Sequence, residues 1–413
     1  MRPVAAFQDR HLDPETREQQ RRDQTGRSGP DDEDRTGSVH PTSQPEPDPA
    51  TAPDAEPDRG AGPGSGTGPG SGTGSVAAVT ALPDDLARAL DAALDRVPAS
   101  RLAPVVERLI GDYRGGAGNV RGTGVATAPI LRTDDDAAAY AAYRMPATYT
   151  ALHEGLSRAA EVAGDCLAPR THLDVAGGTG AAVWAAARIW PTLVAATVLE
   201  GSEPVIALGR RLATGADGAT VRSARWEPTL LGAATVLPAA DLITVSYVLG
   251  ELPEPVRDPL VDEAARRADT VAVFEPGTPA GYRRVLRARA RLLDAGMSVA
   301  APCPHDGACP ITGEDWCHFA ARVDRTSRHR SLKGGTLSHE DEKFAYVVAT
   351  RATPAHAGNR VLRHPLQRKG LVTLRLCSGE GAITDRPVPK SRREDYRAAR
   401  DTGWGDPWPQ LDA

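Results

Sequence analysis

Lysine, cysteine, aromatic side chains and long apolar runs are all scarce in this chain. All but four of its 49 basic residues are arginine, a compositional bias that bears on no mechanism. Five cysteines in 413 residues are an odd number and too few for a disulfide framework. No stretch approaches the roughly 20 apolar residues of a membrane span. The N-terminal MRPVAAFQDRHLDPETREQQ has neither the apolar core of a signal peptide nor the acid-poor character of a transit peptide. A soluble cytoplasmic protein with no membrane partner is expected. Three of the five cysteines lie between Cys303 and Cys317, which points to a metal or redox site.

Glycine and proline, by contrast, number 41 and 35. They are dense in residues 1–78, which lack hydrophobic periodicity and run through GAGPGSGTGPGSGTGS. Such a segment buries too little apolar surface to offset the entropy of ordering, so a disordered acidic tail is expected there. Its 14 acids against 8 bases exceed the whole chain's net charge of −5, which leaves the remainder close to neutral. From ALPDDLARALDAALDRV onward apolar residues recur at helical spacing. The pattern continues through RLAPVVERLIGDYR and, after a glycine-rich break, DDDAAAYAAYRMPATYTALHEGLSRAAEVA. Residues 79–165 read as a helical N-terminal region.

From Thr171 the pattern changes. THLDV, LVAATVLE, ATVRSAR, DLITVSYVL and TVAVFEP are short apolar, β-branched runs. They alternate with helix-like AAVWAAARIW, EPVIALGRRLA and EPVRDPLVDEAARRA. Strands buried on both faces and separated by helices imply an α/β fold with a doubly wound parallel sheet, assigned to residues 166–301. After GYRRVLRARARLLDAG, the runs MSVAAP and KFAYVVATR read as the last two strands, with an insertion at 302–342 between them. Residues 343–413 complete the sheet and add a basic extension with one strand pair around LVTLRLCSGE.

The first strand runs into Asp174, Val175, Ala176, Gly177, Gly178, Thr179 and Gly180. Glycines there permit a tight turn and let the backbone approach a ligand at the start of the next helix. Glu200 closes the second strand, where an acid accepts hydrogen bonds from ribose hydroxyls. A glycine turn by itself is often only a strand-to-helix turn; the two flanking acids favour a ligand. The arrangement resembles motif I of class I S-adenosylmethionine-dependent methyltransferases. That resemblance implies the cofactor on Asp174, Gly177, Gly178, Gly180 and Glu200, with Ala176 departing from the pattern at its first glycine. NAD is the runner-up, but its fingerprint places a further glycine inside the helix. The fourth strand ends Ser246, Tyr247, Val248, Leu249, Gly250, Glu251. It lacks the Asn/Asp-Pro-Pro-aromatic run of amino-group methyltransferases. Tyr247 and Glu251 are pocket candidates, or equally a strand end and a helix cap. Cys166, ahead of the first strand, reads as a buried thiol.

Cys303, Cys309 and Cys317 are spaced C-x5-C-x7-C in PCPHDGACPITGEDWCHF, and Cys377 follows in the remote LVTLRLCSGE. Four thiolates from one loop and one distant strand can close around a metal. The loop has too little apolar surface to bury three free thiols. Zinc prefers C-x2-C knuckles, and neither interval matches, which favours an iron–sulfur cluster with zinc as the alternative. His305 and His318 are substitute ligands or, more commonly in such loops, supporting donors. A fourth cysteine argues for a closed structural site rather than a radical centre with a vacant iron.

The run CPHDGACPITGEDWCHFAARVDRTSRHRSLKGGTLSHEDEKFAYVVATR resembles the signature of the methyltransferase-like protein 17 family, as do SYVLGEL and the terminal WGDPWP. That family comprises mitochondrial small-ribosomal-subunit assembly factors and their bacterial relatives. The resemblance implies a 4Fe–4S cluster on Cys303, Cys309, Cys317 and Cys377. It also implies a methyltransferase-type sheet that binds S-adenosylmethionine, and association with small-subunit ribosomal RNA.

Between Phe319 and Arg400, 18 Arg and Lys face 8 Asp and Glu. A charge run is usually a solvated face, but beside the cysteine loop it favours phosphate contacts. Arg322, Arg325, Arg328, Arg330, Lys333 and Lys369 are the RNA-facing candidates, and Trp316, Phe319 and His329 offer stacking surfaces. Three functions compete: a ribosomal-RNA methyltransferase, a non-catalytic assembly factor whose folding depends on the cluster, and a zinc-stabilised nucleic-acid-binding module. A monomer is expected.

Overall fold

A computed structural model of the protein describes residues 82–95, 97–114, 130–324, 339–354 and 358–409. The tail expected at 1–78 lies outside the described residues. Four helices precede the sheet: α1 (Asp84–Leu94), α2 (Ala99–Arg114), α3 (Asp134–Tyr143) and α4 (Met145–Ala163). A capping box starts α3: the Thr133 hydroxyl accepts from the Asp136 amide and the Asp136 carboxylate from the Thr133 amide, both at 3.1 Å. The single helical stretch read over 134–163 breaks at Arg144, because Pro146 has no amide proton to continue the ladder and opens a new helix instead. Met145, Tyr149, Leu152, Leu156 and Ala159 recur at three- and four-residue intervals and form the buried face of α4.

The sheet is built from β1 (Thr171–Val175), β2 (Ala195–Glu200), β3 (Arg225–Pro228), β4 (Ala240–Ser246), β5 (Ala268–Pro276), β6 (Ser298–Ala301), β7 (Phe319–Asp324) and β8 (His339–Thr350). Its order is β3-β2-β1-β4-β5-β8-β6, with β7 paired to the first half of β8. Strands β1 to β5 are parallel, and β8 runs antiparallel between β5 and β6. This is a doubly wound α/β sheet, mixed only at the β8 edge. Successive residues alternate between its two buried faces, as strands covered on both sides must. Ala272 and Phe274 face the N-terminal helices together with α5 (Ala181–Ile189) and α6 (Glu203–Thr214). Val271 and Val273 face α8 (Glu254–Arg267) and α9 (Pro279–Asp294).

Three expectations need correction. ATVRSAR is not a strand: Ala219–Arg222 forms a short helix, α7, and β3 starts at Arg225. Val221 is buried and the Thr220 hydroxyl donates to Leu193 O at 2.6 Å, so tertiary contacts override a β-branched run too short to arbitrate by itself. Cys166 is exposed in a 3-10 turn rather than buried. The C-terminal extension holds five strands, not a pair. These are β9 (Asn359–Val361), β10 (Leu366–Arg368), β11 (Leu371–Cys377), β12 (Ile383–Pro389) and β13 (Pro407–Trp408), with α10 (Arg393–Asp401) packed on them. Its core is small: Val361, Val372, Leu374, Leu376, Val388, Ala399 and Trp408.

Gly155 sets how closely α4 approaches the sheet. A Cβ at this position would lie 2.5 and 2.7 Å from two carbons of Phe274, whose ring is itself stacked on Phe344 and Tyr346. Replacing glycine by alanine in a helix gains about 0.8–1.0 kcal/mol of propensity. Overpacking a core costs about 1–3 kcal/mol, and the ring has nowhere to go. Gly155→Ala is expected to lower the denaturation midpoint by several degrees; a thermal melt at or above the parent's would contradict this packing.

Candidate functional site

Two groups of chemically active side chains stand out, one at the carboxyl ends of the parallel strands and one beneath α9. The first lies at the switch point of the sheet, where β1 has β2 on one side and β4 on the other; open α/β sheets bind ligands there. The turn after β1 takes left-handed backbone at Ala176, Gly178 and Gly180, with φ of 51°, 59° and 88°. Glycine adopts this region freely, whereas Ala176 is strained in it. Gly177 allows no side chain, since a Cβ would fall 2.2 Å from Asp174 Oδ2. Trp226 of β3 walls the turn, its indole N–H donating to Gly178 O at 3.1 Å. Tyr140 of α3 covers it from the other side, 3.6 Å from where a Gly178 side chain would begin.

Glu200 accepts from the amides of Gly178 (3.0 Å) and Ser202 (2.9 Å). A carboxylate offers about four acceptor sites, so capacity for ribose hydroxyls remains. Asp174 accepts from the Thr244 hydroxyl at 2.7 Å through Oδ1, while Oδ2 is buried without a partner. Burial, with Glu200 nearby, pushes the Asp174 pKa up to about 7. Glu251 is raised to about 8, by burial first and then by Glu200 and Glu275. Glu275, fully buried, accepts from the Leu249 amide and pairs with Arg284 at 2.6 Å, bracing the turn that carries Glu251. Tyr247 has φ of 60° and lies under the Arg144 guanidinium, 5.4 Å from the ring centroid. Arg144 in turn holds Glu342 of β8 through two bonds of 3.1 and 3.0 Å. The result is an acid-rich strand end with an unfilled acceptor, suited to a cationic ligand that also carries hydroxyls.

The second group is built by the loop after β6 and the last residue of β11. Cys303, Cys309, Cys317 and Cys377 all line one cavity of about 40 Å³ under α9. Tyr282 Oη lies 3.2 Å from Cys309 Sγ, and His305 Nε2 lies 3.4 Å from Cys377 Sγ. Burial raises the pKa of Cys303, and burial plus the other three sulfurs raises that of Cys317 well above the usual thiol range. Cys377 is pushed up to about 12 by burial, then by Cys303 and Cys309. Crowded sulfurs whose charges penalise one another are what a bound cation relieves, and four thiolates serve structural zinc and iron–sulfur clusters alike. Among the described residues, no group of three or more His, Cys, Asp or Glu has the spacing of a shell around one ion.

A sequence model of the family described as mitochondrial small ribosomal subunit Rsm22 matches residues 134–409, more than half of the chain. The chain belongs to the Rsm22 family. The matched region includes both the glycine turn and all four clustered cysteines. The human "Ribosome assembly protein METTL17, mitochondrial" is 29% identical over 266 residues, 59% of this chain and 56% of that protein. The "Rsm22-cox11 tandem protein 2, mitochondrial" of Schizosaccharomyces pombe is 27% identical over 182 residues, 34% of this chain and 24% of that one. The Rsm22-family chain thus spans about half, or less, of the length of these relatives. Among solved structures, an O-methyltransferase family protein from Burkholderia thailandensis aligns with a TM-score of 0.38 at 13% identity, covering 61% of this chain and 72% of its own. Magnesium protoporphyrin IX methyltransferase from Synechocystis, with bound SAM, aligns at 0.32 and 12%, covering 66% and 99%.

Within the Rsm22-family chain, the candidates for RNA contact fare unevenly. Arg325, Arg328, Arg330 and Lys333, with His329, lie outside the described residues. Arg322 is engaged by Asp341 on the neighbouring strand at 2.9 and 3.3 Å. Phe319 is not a stacking surface: it is buried against Phe344 and Tyr346, because its strand joins the main sheet. Trp316 donates to Gly277 O at 3.0 Å and stacks on His318, whose ring meets Trp404 edge-on. Lys369 is exposed in the turn between β10 and β11. Sequence reasoning passed over Tyr140, Arg144, Trp226 and Glu275. Only an acid closing β5 beside a glycine-bearing turn hinted at the last.

Asp174 carries a pH signature. Its folded pKa, about 7, exceeds the unfolded value of about 4. The stability linked to its proton is therefore fully present below pH 4 and lost as the pH rises to about 7. Asp174→Asn removes that loss, and the variant is expected to be more stable than the parent at pH 8 by roughly 1–3 kcal/mol. It should show little difference near pH 4 and weaker binding of a cationic ligand. Denaturant melts at the two pH values decide it; an equal effect at both would rule out the buried carboxyl as the source.

Proposed function

We propose that this Rsm22-family protein is a small-ribosomal-subunit assembly factor that binds S-adenosylmethionine at the glycine turn and a 4Fe–4S cluster at Cys303, Cys309, Cys317 and Cys377. It acts on ribosomal RNA in the cytoplasm. The convergence of the remote Cys377 on the cavity of the other three carries this proposal. Asp174, with its open acceptor, and Glu251 would face the positive charges of S-adenosylmethionine, and Glu200 its ribose. Bound there, the cofactor would supply an electrophilic methyl group. Tyr247 and Glu251 would line the substrate side, so methylation of ribosomal RNA is the enzymatic form of the proposal.

The metal centre would act on RNA binding through the C-terminal sheet. Arg368, Lys369, Lys390, Arg392 and Arg393 are exposed on that sheet. The Lys390 amide donates to Gly370 O at 2.8 Å, which brings the two basic segments side by side. Such a group suits phosphate contacts whose affinity falls with salt. Because the core of this lobe is small, a ligand bridging Cys377 to the loop would contribute folding free energy directly. Zinc on the same thiolates is the second reading, favoured by the identity of the donor set alone.

Anaerobic purification followed by metal and sulfide analysis tests the proposal. Iron and acid-labile sulfide in equal amounts, with broad visible absorbance, are expected. Cys377→Ser should lose both, together with hydrogen-exchange protection in β9 and β11. Zinc in the purified parent chain, or a Cys377→Ser protein as protected as the parent, would remove the cluster. Labelled methyl groups appearing in immature small-subunit RNA would establish the enzymatic form, and RNA binding without transfer would leave the assembly role alone.

A further inference from the structure

Two arginines, Arg289 on α9 and Arg360 on β9, line the cavity of the four cysteines. They are only 7% and 3% exposed. A guanidinium does not shed its proton in a protein, so each brings a full positive charge into the interior. Burying such a charge is expensive unless an anion answers it. Elsewhere on α9 the rule is kept: Arg284, Arg287 and Arg291 are paired with Glu275, Asp258 and Asp262. Arg289 and Arg360 have no ion-pair partner among the described residues.

Both hold backbone oxygens instead. Arg289 donates through Nη2 to His305 O at 2.9 Å and Gly307 O at 2.8 Å, which fixes the cysteine loop, while its Nε is buried without a partner. Arg360 donates through Nε to Pro302 O at 2.9 Å and through Nη1 to Gly405 O at 2.8 Å. The answering anion must therefore be at the cavity itself. Four thiolates bring four negative charges, and a cluster core carrying two positive charges leaves a dianion. Two arginines match it.

We propose that Arg289 and Arg360 are the counter-charges of the metal centre, balancing its dianionic form and easing its reduction, with Tyr282 and His305 as polar neighbours of Cys309 and Cys377. This rests on the reading that a cluster occupies the cavity. Adding one electron takes the thiolate-bound unit from two to three negative charges, and a nearby cation eases that step. Removing one arginine charge makes the centre harder to reduce and easier to strip. The arginines are positioning residues: they act through the thiolates and touch no substrate.

The test uses the full chain, purified anaerobically, with two readouts. One is the midpoint potential, from dithionite titration followed by visible absorbance and electron paramagnetic resonance. The other is the rate of iron loss to a chelator. Arg289→Gln and Arg360→Gln are each expected to shift the potential to more negative values and to lose iron several-fold faster. Arg289→Lys and Arg360→Lys, which keep the charge, are expected to stay near the parent potential. Gln variants with the parent's potential and iron-loss rate would overturn the assignment. If the Gln variants do not fold, the Lys variants decide. A Lys variant that loads a cluster at the parent potential supports the charge role. One as impaired as the Gln variant shows that the bonds to carbonyl oxygens matter and overturns it. A parent chain with zinc or no metal removes the cluster reading and this assignment together. A fully loaded parent with indifferent variants removes this assignment alone.

Discussion

Four sulfur atoms held around one cavity are electrostatically intolerable as free thiolates and wasteful as buried thiols. Much of the C-terminal half of the protein is arranged about that conflict. The loop carrying three of them is almost without regular structure, and its position is fixed by backbone bonds to Arg289 and Arg360. The fourth ends β11, in a sheet whose own core comprises seven residues. Small cores leave little margin against conformational entropy. That sheet is held to the rest of the molecule by Arg158 pairing with Asp406 at 2.5 Å, by Arg360 bridging Pro302 and Gly405, and by the shared cysteine cavity. A cation among the sulfurs would therefore strengthen an interface as well as fill a site.

The carboxyl ends of the parallel strands show a second conflict, of the opposite sign. Asp174, Glu200, Glu251 and Glu275 crowd one region, and for the first three burial is the largest force holding their protons on. Only Glu275 is directly answered, by Arg284. Left-handed backbone at Ala176 and Tyr247 adds strain at the same place. Unneutralised acids, a buried acceptor without a donor and strained turns are features that stability alone would remove. They persist where a ligand has to be bound.

Strands β1, β2, β4, β5 and β8 were legible because a strand covered on both faces is a continuous apolar run bounded by turns. Strand β3 was not, because its residues RWEP alternate with charge while the more strand-like ATVRSAR next to it is drawn into a helical turn by Val221 and Thr220. The five-stranded C-terminal sheet was read as a pair, since two- and three-residue strands have no period to detect. Phe319 looked like an exposed stacking ring because nothing local shows that β7 returns to pair with β8. Arg322 looked available for phosphate, yet Asp341 stands opposite it across that pairing.

By itself, then, the amino-acid order determined the succession of strands and helices, the glycine turn with its flanking acids, and the family to which the cysteine loop belongs. Each of these is written in contiguous residues or in a short repeating period. That Cys377 joins Cys303, Cys309 and Cys317 was already an expectation of the sequence, and the tertiary structure places all four around one cavity. It alone decided which two of the many arginines are buried there without a carboxylate. Periodicity reports whether a side chain is buried, but what it is buried against depends on how separate elements pack.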